Sequence, residues 1–568
     1  MKRISRKRSV LYGLLILVTM FGSIGPMATA TSAQDAGKVL RIHHITFPDV
    51  VDPQQSSFAN EIDILSLNYE GLTRIDQSGA TVPGAAESWE FNEDGTVLTF
   101  HLREGLTYSD GSPLTAERFR YAVQRNCDPY VAGQYQSILF EIVGCQAFAE
   151  SIAQPEEGSD ATPMDAEAEA AAYEAAKAGL GVKAIDDQTL ELTLTQAAPY
   201  YPTVASLWVF FPAKEELIDQ GGAEWWKDPS LQLGNGPFQL SDWVDEQQVS
   251  FVANENYWGG RAKLDGMEYV YQGESSVALE AYKNGDLDIV QVDPSNLINI
   301  QSDPQLSAEL VSYPVASTYN LSFNLTMEPF TDIKVREAFS LAFDRETYCS
   351  VIRQGDCVPT LSWIPPGLAG AIETDKYGFD PEAAVAALAE SSYGGPEGLP
   401  EITMYYNSND SANTARAEWV AGQYRDILGV TINLEPTEGT ALVALRKDST
   451  TFPQMLLVGG WIQDYPDPQN WLSVYWKCDT TFAKRVGYCN PDLDALLDQA
   501  DVEQDEATRM DLYAQAGQLL VDDIPGPFLY NLSTNVLVKP EVSGYVPTAL
   551  DVQWPGQFSS LLTIDVER

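Results

Sequence analysis

"ITMYYNSNDSANTARAEWVAGQYRDILGVTINLEP", residues 402–436, reads as strand, loop, helix, strand. That order is a βαβ unit, whose two strands lie parallel through a right-handed crossover. Open parallel sheets bind ligands just beyond the carboxyl ends of their strands. The loop "NSNDSAN" falls at that place, and Asn407, Ser408 and Asn409 are good neutral hydrogen-bonding groups for a ligand.

Working outward, residues 86–105, "AESWEFNEDGTVLTFHLREG", read as a β-hairpin. Trp89 and Phe91 alternate with polar residues in one arm, Leu98, Phe100 and Leu102 in the other, and "EDG" makes the turn. "SDGSPLTAERFRYAVQR" turns at Asp110-Gly111 and starts a helix near Thr115, with Phe119, Ala122 and Val123 as its apolar stripe. Leu190, Leu192 and Leu194 alternate in a further strand. "KVREAFSLAFDRE" places Val335, Ala338, Phe339, Ala342 and Phe343 on one helical face. Between these, residues 154–178 are rich in Ala and Glu and poor in large apolar residues, which predicts an exposed insertion, helical towards its end and without a site. "GNGPF", Gly234–Phe238, lacks the third glycine of a dinucleotide fingerprint and predicts a tight turn into a strand. The chain shows no internal repeat and no long linker.

The 568 residues exceed one ordinary core, so two or three domains are expected. "MKRISRKR" followed by "VLYGLLILVTMFGSIG" and small residues reads as a signal peptide over 1–33, with cleavage at Ala30 or Ala33. No Cys follows the apolar run, so no lipoprotein anchor is evident. The run is nearly long enough to stay as a signal anchor, and no second such run occurs. The expected location is outside the membrane, periplasmic or extracellular.

The net charge is −47, and residues 1–33 contribute five basic residues and no acidic ones. Such a surface repels nucleic acid and anionic lipid. Six Cys form three close pairs in sequence: Cys127 with Cys145, Cys349 with Cys357, Cys478 with Cys489. Neighbour pairing closes the shortest loops at the least entropic cost, and export permits disulfides, although other connectivities remain open. With three His and no C-x-x-C, zinc is a poor rival.

No G-x-S-x-G, H-E-x-x-H, phosphate-binding or calcium loop occurs, and no cofactor or metal site is expected. Carboxylates are abundant enough that a two-carboxylate glycosidase stays a rival reading. What remains is aromatic: 12 Trp and 27 Tyr, more than a core alone tends to use. They concentrate in "GWIQDYPDPQNW", residues 460–471, where two Pro stiffen a segment that sets Asp464 between Trp461 and Tyr465. Asp467, in an Asp-Pro dipeptide, reads as a turn residue.

Taken in order, "VDPQQSSFANEIDILSLNYEGLTRID", the hairpin and helix block through "SDGSPLTAERFRYAVQR", "LGNGPFQLSDWV", "ANENYWGG", "FNLTMEPFTDIKVREAFSLAFDRE" and "GWIQDYPDPQNWL" resemble the extracytoplasmic solute-binding proteins of family 5, the peptide-binding components of ABC importers. The resemblance spans nearly the whole chain after the signal segment. It implies an α/β, two-lobed periplasmic-binding-protein-like fold (type II, cluster C) with an extra subdomain inserted in lobe I. The implied layout is lobe I over 34–313 with the subdomain at about 71–210, lobe II over 314–530, and a return to lobe I over 531–568, with crossings near 312–316 and 528–534. The implied function is capture of a peptide or peptide-like solute by a monomer that closes its lobes, performs no catalysis and docks on a permease.

In the family the Asp of "W-x-x-D-Y" meets the ligand ammonium, a role that falls on Asp464, walled by Trp461 and Tyr465. Ser56, Ser57 and Phe58 fall on the cleft-facing first loop of lobe I, while Tyr257 and Trp258 read as core. The sequence departs from the family in showing no basic residue beside the Asp464 segment or on the "NSNDSAN" loop, which leaves a ligand carboxylate without a partner. Oligosaccharides, nickel complexes, cationic compounds and a signalling role therefore stay open as alternatives.

Overall fold

The computed structural model describes residues 37–152, 165–409, 411–447, 449–551 and 561–567. The signal-peptide reading over 1–33 lies outside the described residues, as does the first part of the Ala-rich insertion.

The fold is mixed α/β, organised on one long sheet shared by two lobes. Lobe II contributes, in order, Ile432–Thr437, Ile402–Asn407, Met455–Ile462 and Ser317–Phe323. Lobe I contributes Ile289–Gln291, Val39–His44, Gly266–Tyr271, Gln248–Ala253 and Phe238–Val244. Between them runs Phe528–Val538, which belongs to both. Its first half pairs with Ser317–Phe323 and with Cys357–Pro359. Its second half pairs with Ile289–Gln291 and with Leu310–Pro314.

The βαβ unit forms as expected. Ile402–Asn407 and Ile432–Thr437 are parallel in register, joined by the helix Ser411–Leu428. Ile402, Met404 and Tyr406 point into the core on alternate positions, and Ala417, Val420, Tyr424 and Leu428 cover them from the helix.

The hairpin Ala86–Phe91 and Val97–Leu102 joins Thr189–Thr193 and Val182–Asp186 in a four-stranded antiparallel sheet, the inserted subdomain of lobe I. Leu98, Phe100, Leu190 and Leu192 bury its inner face in a core continuous with that of lobe I. The helix Ala116–Asn126 packs on this sheet through Phe119 and Val123. The helix Ala166–Ala178 has no fully buried residue; Tyr173 moors it by a 2.6 Å hydrogen bond to Asp128 and an edge contact with Phe148.

The stripe Val335, Ala338, Phe339, Ala342 and Phe343 is fully buried, but the helix Ile333–Leu341 stops before its last two members. Asp344 ends the pattern by accepting the Thr347 amide at 3.0 Å and starting a new turn. Gly234 and Gly236 lead into Phe238–Val244 against the end of the helix Ala59–Asn68. A Cβ on Gly234 would lie 1.7 Å from the Asn68 carbonyl oxygen, so only glycine lets these backbones touch. All six cysteines are paired, Cys127–Cys145, Cys349–Cys357 and Cys478–Cys489, each closing a short loop. No described helix is long and apolar enough to cross a membrane.

Candidate ligand-binding site

The strand Met455–Ile462 carries the aromatic segment. It is irregular where it passes Asn320 and Ser322, and Val458 there adopts a φ of 70°. A β-branched residue in that region is strained, and such irregularities re-aim the side chains that follow. Gly459 and Gly460 permit the close passage, since a Cβ would meet Ser322 Oγ at 1.9 Å or the Thr318 carbonyl at 2.6 Å. Beyond the strand, Asp467 caps the short helix Pro468–Trp471 by accepting the Gln469 amide at 2.9 Å, with Pro468 in the favoured first position. Asp467 also forms a buried ion pair with Arg509. Its role is structural, and it folds the chain so that Asn470 returns beside Asp464.

Asn470 is 1% exposed and uses its whole side chain. Its Oδ1 accepts from the Asp464 amide at 3.0 Å and from Trp461 Nε1 at 3.1 Å. Its Nδ2 donates to Asp464 Oδ2 at 3.0 Å. Two donors on Oδ1 fix which end of the amide faces the carboxylate. From lobe I, the Tyr135 hydroxyl donates to Asp464 Oδ1 at 3.0 Å. Burial raises the Asp464 carboxyl above the ordinary aspartate value, and the bonds from Asn470 and Tyr135 only partly oppose that.

Asp464 faces two adjoining cavities. One, of about 410 Å³, is lined from lobe I by Tyr135, Glu141 and Tyr200 and from lobe II by Trp461, Tyr465 and Phe482. The other, of about 290 Å³, is bounded by Tyr319, Arg446, Gly459 and Gly460. Tyr465 is buried and packs into the lobe I core, whereas Trp471, six residues on, packs into lobe II. Trp461 packs edge-on against Tyr475 and Phe482, with ring centroids 5.5 and 5.0 Å away. The result is a dry-walled carboxylate, two of whose lone-pair positions are taken and the rest free for a donor. Among the described residues no cluster of His, Cys, Asp and Glu could hold a metal ion.

The other expected residues stand apart. Ser57 and Phe58 open the helix Ala59–Asn68, and both backbone amides donate to Glu61, at 2.9 and 3.1 Å. Phe58 is exposed, and Ser56 is buried with its hydroxyl on the Val50 carbonyl at 2.7 Å. Asn407 accepts the Asn409 amide at 2.9 Å, and Asn409 Oδ1 accepts the Gly439 amide at 3.1 Å. Ser408 donates its amide to the Thr437 carbonyl at 2.9 Å. None of these residues lines the two Asp464 cavities. Tyr257 and Trp258 both donate to Glu70 in lobe I.

Sequence reasoning missed Tyr135, Asn470 and Arg446. Asn470 was findable, because a Pro-started helix turn after Asp467 brings it back on Asp464. Tyr135 and Arg446 carried no local signal.

Comparison with known proteins bears on the family and the fold. The profile of the bacterial extracellular solute-binding proteins, family 5 Middle, matches residues 80–483. The oligopeptide-binding protein OppA of Bacillus subtilis is 26% identical over 546 residues, 92% of this chain and 94% of its own. The probable deoxycholate-binding periplasmic protein YgiS of Escherichia coli is 29% identical over 550 residues, 94% of this chain and 95% of its own. The crystal structure of a periplasmic oligopeptide-binding protein of Borrelia burgdorferi, 26% identical, superposes with a TM-score of 0.72 over 93% of this chain and 100% of that one. By its profile match, its two lobes with the inserted subdomain, and its likeness along the whole length of these relatives, the chain belongs to the bacterial extracellular solute-binding proteins, family 5.

Proposed function

We propose that this protein captures short peptides outside the membrane and presents them to the permease of an ABC importer. The observation that carries the reading is Asp464, a carboxylate among aromatic rings that is hydrogen-bonded by Tyr135 of lobe I and Asn470 of lobe II at the rim of a cavity both lobes line. A desolvated ammonium needs a charged, hydrogen-bonding partner, and Coulomb attraction strengthens as water is excluded. Glu141 adds a second carboxylate to the same cavity, which favours a cationic end further. A solute whose sole charge is a carboxylate, such as a bile acid, would meet Asp464 unfavourably.

Capture would work by closure of the lobes about the strands that connect them. The expected layout, lobe I over 34–313 and 531–568 and lobe II over 314–530, is supported by the divided pairing of Phe528–Val538. Export by the segment 1–33 and a monomeric state complete the proposal.

Calorimetric titration tests it. Tri-alanine binds the wild-type protein, whereas N-acetyl-tri-alanine, or Asp464→Asn with free tri-alanine, loses about 2–5 kcal/mol, roughly 30-fold or more in affinity. Equal binding of the free and acetylated peptides would falsify the ammonium assignment.

A further inference from the structure

We infer that Glu141 makes the larger Asp464 cavity selective for a doubly cationic ligand end, with the α-ammonium at Asp464 and a basic first side chain, Lys or Arg, at Glu141. The inference deepens the peptide-binding reading and rests on it. It adds the side chain that the first residue must bear.

One lobe I segment supplies both lobe I groups that matter. Tyr135, which donates to Asp464 at 3.0 Å, and Glu141 lie six residues apart and line the same 410 Å³ cavity. Between them, Ser137 and Ile138 on the single turn Gln136–Leu139 line it too, at the spacing of one helical face. Glu141 stands on firm backbone. Its carbonyl accepts the Thr195 amide at 2.8 Å, and the next residue, Ile142, is fully buried and bridges to Leu194. Cys145, four residues on, is tied to Cys127. The carboxylate itself accepts from Thr195 Oγ1 at 2.8 Å and from the Tyr200 hydroxyl at 3.5 Å.

Both donors are neutral. Among the described residues Glu141 makes no ion pair, and no Lys, Arg or His lines the cavity. Other lobe I carboxylates are matched, Asp52 by Arg125, Asp110 by Lys214 and Asp288 by Arg41. Arg509, 5.8 Å from the Tyr200 ring centroid, is held by Asp467, and it lines no part of the cavity. Two carboxylates therefore share one aromatic-lined space with no cation between them. Each disfavours the charge of the other, and a ligand bearing two positive groups relieves both.

The first residue is the one in reach. An ammonium at Asp464 leaves the first side chain to occupy the cavity that Glu141 also lines. The apolar stem of Lys or Arg suits the rings of Tyr200, Trp461 and Phe482, and its charged end is attracted to aromatic faces as well as to a carboxylate.

Titration calorimetry tests this with Lys-Ala-Ala, norleucine-Ala-Ala, whose side chain keeps the stem and lacks the charge, and the pair Ala-Lys-Ala and Ala-norleucine-Ala. The proteins are the wild type and Glu141→Gln, the latter checked for an unchanged melting temperature. Lys-Ala-Ala should bind the wild type about tenfold more tightly than norleucine-Ala-Ala. In Glu141→Gln that ratio should fall to about one, with norleucine-Ala-Ala binding both proteins alike. The inference is overturned if Lys-Ala-Ala and norleucine-Ala-Ala bind the wild type equally, which needs no variant to read. It is also overturned if the ratio survives in Glu141→Gln, or if Lys gains as much at the second position as at the first. Failure of the ammonium reading shows separately: N-acetyl-Lys-Ala-Ala would then bind as tightly as Lys-Ala-Ala, whatever the Lys-to-norleucine ratio.

Discussion

Asp464 is a carboxylate whose charged form its surroundings disfavour. Burial raises its carboxyl, so the ligand-free protein keeps that proton more firmly than the unfolded chain does. Stability from this group is then fullest below the unfolded value and falls as pH rises towards the folded one. A bound ammonium, as proposed above, would draw the carboxyl back to its charged form. Peptide affinity is therefore expected to weaken on acidification from a higher pH than an exposed aspartate would dictate, by up to about tenfold per unit. Asp464→Asn should flatten that profile and melt, ligand-free at neutral pH, no lower than the wild type, because the Tyr135 hydroxyl can turn to accept from the new amide. Calorimetric Kd values and melting temperatures across pH 4.5–8 check both. Asp464 was legible in sequence because two Pro and three aromatics surround it within twelve residues. Tyr135, 329 positions away, was not, since nothing in "GQYQS" marks which carboxylate it will meet. Arg446 was not legible for the same reason: it lines the cavity from the end of the helix Gly439–Leu445, a segment with no sequence mark that ties it to Asp464.

At the scale of elements, those with local patterns were legible. The βαβ unit, the hairpin and the buried helix stripe declare themselves by period; the first two form where expected, and the stripe is buried although its helix ends before Ala342 and Phe343. The long strand Phe528–Val538 does not, because its meaning lies in partners far back along the chain. Asn531 on that strand is 2% exposed and donates to the Ser317 carbonyl at 2.8 Å and to Thr318 Oγ1 at 2.9 Å. Ser317 Oγ accepts the Leu532 amide at 3.2 Å. These bonds clasp the strand where its pairing passes from one lobe to the other. Asn531→Ala leaves two buried acceptors short of a donor and should cost about 1–3 kcal/mol. Urea unfolding followed by tryptophan fluorescence measures it, with a lowered midpoint and an unchanged slope expected.

For the whole molecule, net charge dominates. At −47 the surface repels itself, and the compact state concentrates that repulsion. The Debye length shrinks from about 30 Å at 0.01 M salt to about 10 Å at 0.1 M. The melting temperature should accordingly rise by several degrees over that range and level off above it. A calorimetric scan at each salt concentration, showing no rise, would mean that the acidic residues are already locally compensated. The same field draws cationic peptides inward, so their association rate should fall with salt while that of neutral peptides does not.

The strand shared by the two lobes has a consequence for how the chain comes to be folded at all. Phe528–Val538 sits in the middle of the sheet yet follows in sequence every strand it pairs with. Until it leaves the ribosome, neither half has its central neighbour, and long-range pairing of this kind is slow to nucleate. A nascent chain stopped short of residue 528 should stay open to protease in the strands of the shared sheet, more than in the separate four-stranded subdomain. Late closure of that kind keeps a polypeptide threadable until the shared strand arrives, as the export proposed above would require.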